Sequence, residues 1–358
     1  MDNTQSRVGA PRGLVPSRLF EPQTLRGQVP RSSAWARLAA VLVACALAGL
    51  GAGLLLVRSS ASPVVVTSHG QVRVAPPELP GSGLEPFRGA GAWVDVWDYA
   101  PAYQDPGEAP VVGPADVAAM AASGARTLYL QTAGLARTAG LTEDPDLLGR
   151  FLAAAHARGV RVVGWYAPSL ADPAEDLARL LVVARFAAAG DRFDGLAVDA
   201  AVNAGNSEDR GRLLALSRRL RAEVGPHFPL ALVVPPPAVL EQSGSPFPWR
   251  PLDRLYDVWI PRLFWTLLGP DGADPASLTR QSVTRLRELV GDPTAAIHPL
   301  GGMGSAVTPA QVRAFLRAAA ETAALGASIY DFRSTPAGTL SEVGTASAGG
   351  FGDRELKE

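Results

Sequence analysis

Eight short apolar runs, separated by stretches with helical signals, recur between residues 91 and 332 of this 358-residue chain and narrow what it can fold into. They are GAWVDVWD from Gly91, ARTLYLQT from Ala125, VRVVGWYA from Val160, DGLAVDA from Asp194, PLALVVP from Pro229, YDVWIPR from Tyr256, AAIHPLG from Ala295 and ASIYDF from Ala327. Apolar runs this short, alternating with helices, predict βα units around a parallel sheet. Pro114, Asp144-Pro145 and Thr308-Pro309 open intervening helices, because proline suits the first helical turn and Asp or Thr caps it. The helical signal is weaker after the fifth and sixth runs. Eight units over residues 89–335 match a (β/α)8 TIM barrel in count and size. An open doubly wound sheet would need a switch point that the pattern does not contain.

Ahead of the barrel, residues 38–57 (LAAVLVACALAGLGAGLLLV) carry no charge, and at 1.5 Å per residue they span the roughly 30 Å hydrocarbon layer. The sequence therefore predicts one N-terminal transmembrane helix. Residues 1–37 hold Arg7, Arg12, Arg18, Arg26, Arg31 and Arg37 against Asp2 and Glu21, which places that tail in the cytoplasm and the barrel outside the cell membrane. Residues 58–88 read as an extracytoplasmic linker and residues 336–358, small and polar, as a disordered tail. The single cysteine, Cys45, lies in the apolar run, so the exported part is expected to hold no disulfide of its own. A formal net charge of −1 offers nucleic acid no electrostatic footing.

TIM barrels build their sites where the strands end at the C-terminal face. Those ends carry Asp95, Trp97, Asp98 and Tyr99 after the first strand, Gln131 after the second, Trp165 and Tyr166 after the third and Asp199 after the fourth. Arg262, Phe264 and Trp265 follow the sixth, His298 the seventh, and Tyr330 with Asp331 the eighth. Flat aromatic faces stack on the C–H surface of sugar rings while aspartates and an arginine bond hydroxyls or move protons, so a carbohydrate is the expected ligand. Asp199, Asp331 and Asp98 are the candidate catalytic groups. Trp97, Tyr99, Gln131, Trp165, Tyr166, Arg262, Trp265, His298 and Tyr330 are the candidate binding groups. Two alternatives stay open: the tryptophans fill the barrel or the helix layer, and Asp199 only holds a ligand or pairs with Arg262.

No cofactor or metal is expected, since the four histidines are scattered and cannot gather at the rim. The chain also lacks a G-x-S-x-G nucleophile elbow. The glycine-rich GGMGS from Gly301 is either an anion cradle or a tight turn.

Together GAWVDVWDYAP, GARTLYLQT, AHARGVRVVGWYAP, FDGLAVD, YDVWIPRLFWT and GASIYDF resemble the exported glycoside-hydrolase-like TIM barrels of actinobacteria, similar in architecture to the family 18 chitinases. That resemblance implies a D-x-x-D-x-D-x-E fourth strand whose glutamate is the general acid. Asp194 and Asp199 take its first and third aspartates, Ala197 the second, and Ala201 stands where the glutamate would be. A methyl group cannot protonate a leaving oxygen. The expectation is a membrane-anchored, extracytoplasmic glycoside hydrolase-like protein acting on a polysaccharide. Its alternatives are an inactive carbohydrate-binding pseudoenzyme and a scaffold for an envelope protein.

Overall fold

The computed structural model describes residues 83–134, 138–201, 207–242, 246–267 and 273–348. Residues 1–82, which contain the expected cytoplasmic tail, transmembrane helix and most of the linker, lie outside the described residues, as do 349–358. Among the described residues no helix is long and apolar enough to cross a membrane.

Eight parallel strands close into a barrel in sequence order: β1 (Gly89–Val94), β2 (Thr127–Gln131), β3 (Arg161–Tyr166), β4 (Gly195–Asp199), β5 (Leu230–Val234), β6 (Val258–Leu263), β7 (Leu300–Met303) and β8 (Gly326–Tyr330). β8 pairs back onto β1, with Gly89 opposite Gly326 and Ala92 opposite Ile329. The chain is therefore a TIM barrel. Helices α1 (Val96–Tyr99), α2 (Val117–Ala122), α3 (Pro145–His156), α4 (Pro173–Ala184), α5 (Ser207–Val224), α6 (Pro237–Gln242), α7 (Trp249–Asp253), α8 (Pro275–Val290), α9 (Pro309–Glu321) and α10 (Ala337–Ala348) fill the connections. Their starts follow local chemistry. Asp144 caps α3 through the Asp146 and Leu147 amides, and Thr308 with Gln311 forms a capping box on α9.

Strand side chains alternate between two environments. The inward set packs in one cluster in which the large rings of Trp93, Tyr129 and Trp165 on β1–β3 meet small Ala197 and Ala231 on β4 and β5. Bulk on one wall is matched by its absence on the other, which is how a barrel interior fills without voids. Trp93 stacks flat on Tyr129, centroids 4.3 Å apart. Gly91 makes room for that pair, since a Cβ there would stand 2.5 Å from the Tyr129 ring and against the Ser328 hydroxyl. The outward set, including Leu128, Leu130, Leu196, Val198 and Leu232, packs with Phe151, Leu180 and Leu213 of the helix layer.

Three sequence expectations change. The segment expected to be a disordered tail is helical over Ala337–Ala348, and this α10 packs on β1, β8 and α9. It is the eighth helix that eight strands require: Val343 joins Ala90, Ala327 and Ile329 in a buried cluster over the β8–β1 seam. Its small residues permit the approach, Gly344 lying so close to the Ser123 carbonyl that a Cβ could not be accommodated. The expected linker ends earlier, because a helical turn at Glu85–Phe87 buries Phe87 in the barrel's N-terminal end. β7 begins at Leu300, after the apolar residues that predict it, so His298 lies before the strand and not beyond it.

Candidate functional site

At the mouth, the last inward position of four of the strands sits where period-2 alternation places it: Asp95 two residues after Trp93, Asp199 two after Ala197, Arg262 two after Ile260 and Tyr330 two after Ser328. Trp165 lies just beneath, 6% exposed, tilted against Trp93 at 5.8 Å and donating from Nε1 to the Val94 carbonyl at 3.3 Å. Phe264 and Tyr330 tilt against each other at 5.5 Å above this floor.

On one side of the mouth, Asp199 is tied down. Its Oδ2 accepts from Arg262 Nη1 at 3.2 Å and its Oδ1 from the Ala201 amide at 2.9 Å. The Arg262 guanidinium also stands 5.3 Å from the Phe264 ring centre. The side chains of Asp199 and Arg262 are 7% and 27% exposed, so the pair is largely removed from water. Ala201 packs against the inner cluster.

The other side lies where β8 meets β1. Asp95 caps α1, its Oδ1 accepting from the Trp97 amide at 2.9 Å, and its Oδ2 accepts from the Tyr330 hydroxyl at 2.8 Å. Asp98, one turn on, takes Arg333 Nη1 on Oδ1 at 3.2 Å, while its Oδ2 is buried without a hydrogen-bond partner. Asp331, joined to Tyr330 by a cis peptide, accepts from the Ser334 amide at 2.7 Å. One carboxylate oxygen from each of Asp95, Asp98 and Asp331 lies within 4.8 Å of the others, so among the described residues these three could hold a cation. Burial raises the Asp95 carboxyl above the usual range, and the Asp331 charge raises it further. Burial together with Asp95 and Asp331 raises Asp98, against the lowering effect of Arg333. Three acidic groups share one guanidinium, and the corner is short of positive charge.

The structure thus brings together Asp98, Asp331 and Tyr330 at one side, Asp199 and Arg262 at the other, and Trp165 below. The remaining sequence candidates go elsewhere. Tyr99 is buried against Phe151, its hydroxyl donating to the Gln131 carbonyl at 2.5 Å. Tyr166 follows inward-facing Trp165 and so points outward, bonding Asp176 at 2.7 Å. Trp265 likewise follows Phe264 and packs on Phe315 of α9. Trp97 lies edge-on to Tyr103. Gln131 is occupied by backbone, accepting from the Val96 amide at 3.0 Å and donating to the Ala133 carbonyl at 3.2 Å. His298 is at the opposite end, bonding the Phe87 carbonyl at 2.8 Å through Nδ1 and the Ser328 hydroxyl at 2.6 Å through Nε2. Burial pushes its pKa down to about 4, which keeps it neutral.

The GGMGS glycines have a packing reason. A Cβ on Gly301 would meet the Trp265 ring at 2.6 Å, and one on Gly304 would collide with Thr335. Asp95 and Arg333 join the site without having been candidate site residues. Asp95 was legible as a strand-end carboxylate, whereas Arg333 carries no sequence signal.

No protein-family model matches this sequence, and no curated protein matches it. Solved structures do. The endo-beta-1,4-mannanase of Thermotoga petrophila superposes with a TM-score of 0.52 at 10% identity, covering 76% of this chain and 79% of its own. The catalytic domain of the hyperthermophilic chitinase from Pyrococcus furiosus gives 0.53 at 14%, covering 76% and 99%. The endo-1,4-beta-mannanase from Rhizomucor miehei gives 0.50 at 8%, covering 73% and 95%. At these identities the likeness establishes a shared fold, the TIM barrel, and nothing finer.

Proposed function

We propose that this chain is a membrane-anchored, extracytoplasmic, glycoside-hydrolase-like barrel that binds a polysaccharide at its mouth, with Asp199 holding ligand instead of donating a proton. The observation that carries this reading is the end of β4: Asp199 is neutralised by Arg262, and Ala201 occupies the position where the chitinase resemblance puts the acid. A carboxylate held in place by a guanidinium and a backbone amide keeps lone pairs that accept hydroxyl hydrogen bonds, which suits binding. The mouth offers the apolar partner surface in Phe264 and Tyr330. Among the described residues the exposed large apolar side chains are Val111, Leu141, Val239 and Leu267, and each follows a strand on the mouth side.

The test uses the full-length chain in mild detergent, incubated with chitin, mannan and cell-wall polysaccharides. Retention is read by pull-down and released oligosaccharides by mass spectrometry. The expected result is retention of at least one polymer without release, weakened about tenfold, or about 1.4 kcal/mol, in Asp199→Asn and in Phe264→Ala. Release that disappears in Asp199→Asn would make the chain a hydrolase and overturn the binding reading. Protease digestion of the barrel on intact cells tests the topology read from residues 1–57.

A further inference from the structure

We infer that Asp95, Asp98 and Asp331 form a divalent-cation site at the seam where β8 closes onto β1. The proposal is independent of the glycan reading. It starts from a single atom: Asp98 is 3% exposed, its Oδ1 is engaged by Arg333, and its Oδ2 has no partner. Buried acceptors are satisfied with very few exceptions, and an ion is one of the things that satisfies them.

The surroundings identify what would do so. Carboxylate oxygens are hard ligands, the set preferred by Ca2+, Mg2+ and Mn2+ over softer metals. One carboxylate oxygen from each of the three aspartates lies within 4.8 Å of the other two, close enough for small side-chain rotations to bring all three onto one hard cation. Charge agrees with spacing. Metal ligation requires deprotonated carboxylates, and three of them against one guanidinium sum to two negative charges, the complement of one divalent cation.

The preorganisation is visible in the neighbours. Tyr330 and the Trp97 amide fix both oxygens of Asp95, the Ser334 amide fixes Asp331, and Arg333 fixes Asp98. Such outer contacts orient metal ligands.

The experiment takes the full-length chain, stripped with EDTA and dialysed, and titrates CaCl2, MnCl2 and MgCl2 separately. Thermal unfolding and equilibrium dialysis with 45Ca2+ are the readouts. At a hundredfold excess over Kd, Ca2+ should raise Tm by about 5–10 °C and bind with one ion per chain. Asp98→Asn keeps the oxygen that Arg333 needs and so should fold, yet bind Ca2+ at least about tenfold more weakly. Asp331→Asn serves as the second variant, with the same expectation. Absence of binding by any of the three ions up to about 10 mM would overturn the proposal, since even weak extracellular Ca2+ modules bind below that concentration. Binding unchanged in both variants would place the ion elsewhere and overturn it equally.

Discussion

The two ends of this barrel handle buried polar groups in opposite ways. At the N-terminal end His298, Thr127 and Asp257 each have their partners. His298 uses both ring nitrogens, and the Thr127 hydroxyl donates to the Pro86 carbonyl at 2.8 Å. Asp257 takes Arg221 at 2.9 Å and the Leu230 amide at 2.8 Å. At the C-terminal mouth the Asp199–Arg262 pair is satisfied, but the Asp95, Asp98 and Asp331 corner is left with an unpartnered oxygen and raised carboxyls. A barrel concentrates stability at one end and function at the other, and a surplus of like charge marks the functional end because nothing in folding alone selects for it.

Removing a partner from the closed end should be the most damaging change. Arg221 is 13% exposed at its side chain. Besides Asp257 it bonds the carbonyls of Leu255, Gly225 and Phe228. Arg221→Ala leaves a carboxylate and these acceptors poorly satisfied, with an expected loss of about 3–4 kcal/mol and a fall in Tm of about 10 °C, measured by calorimetry. Retained stability would show that the end is not held by these contacts.

Acid should attack the same end next. His298 is neutral in the folded barrel, its pKa pushed down to about 4, while in the unfolded chain it takes a proton near 6.5. The unfolded state therefore binds the proton first, and stability is lost as pH falls from about 6.5 to about 4, reaching about 3 kcal/mol from this group. Urea unfolding across that window, compared with His298→Gln, isolates the contribution. A pH slope unchanged in the variant would remove His298 as its source.

The smallest expected effect has the opposite sign and belongs to the mouth. In EDTA, Asp98→Asn removes one of three crowded buried carboxyls and should raise Tm by a few degrees, or about 1–2 kcal/mol. A polar substitution in a buried position ordinarily destabilises, so a gain would sharpen the contrast between the ends. A loss as large as that of Arg221→Ala would erase it.

Much of the barrel was readable from local pattern. The eight apolar runs correspond to the eight strands, and Asp144, Thr308 and the prolines mark helix starts where they occur, because capping and periodicity are properties of neighbouring residues. The site was less legible. Tyr166 and Trp265 sit one position past inward residues, so their rings face the helix layer. Whether a strand-end aromatic reaches the mouth depends on register, and one residue of register exchanges the two faces. α10 escaped notice because its buried face is built from small residues that serve close approach to Ser123 and Gly124. Without bulk they carry a weak apolar signal.

By itself the sequence determined the number of βα units, the closure that this number implies, and the carboxylate at the end of β4. Only the tertiary structure decided the rest: that Asp199 is paired with Arg262 across 63 residues, and that Arg333 and Tyr330 reach Asp98 and Asp95 across 235. The reason is closure itself. Backbone pairing of β8 with β1 brings opposite ends of the barrel sequence into contact, and no pattern within a window of neighbouring residues records which charges will then face one another.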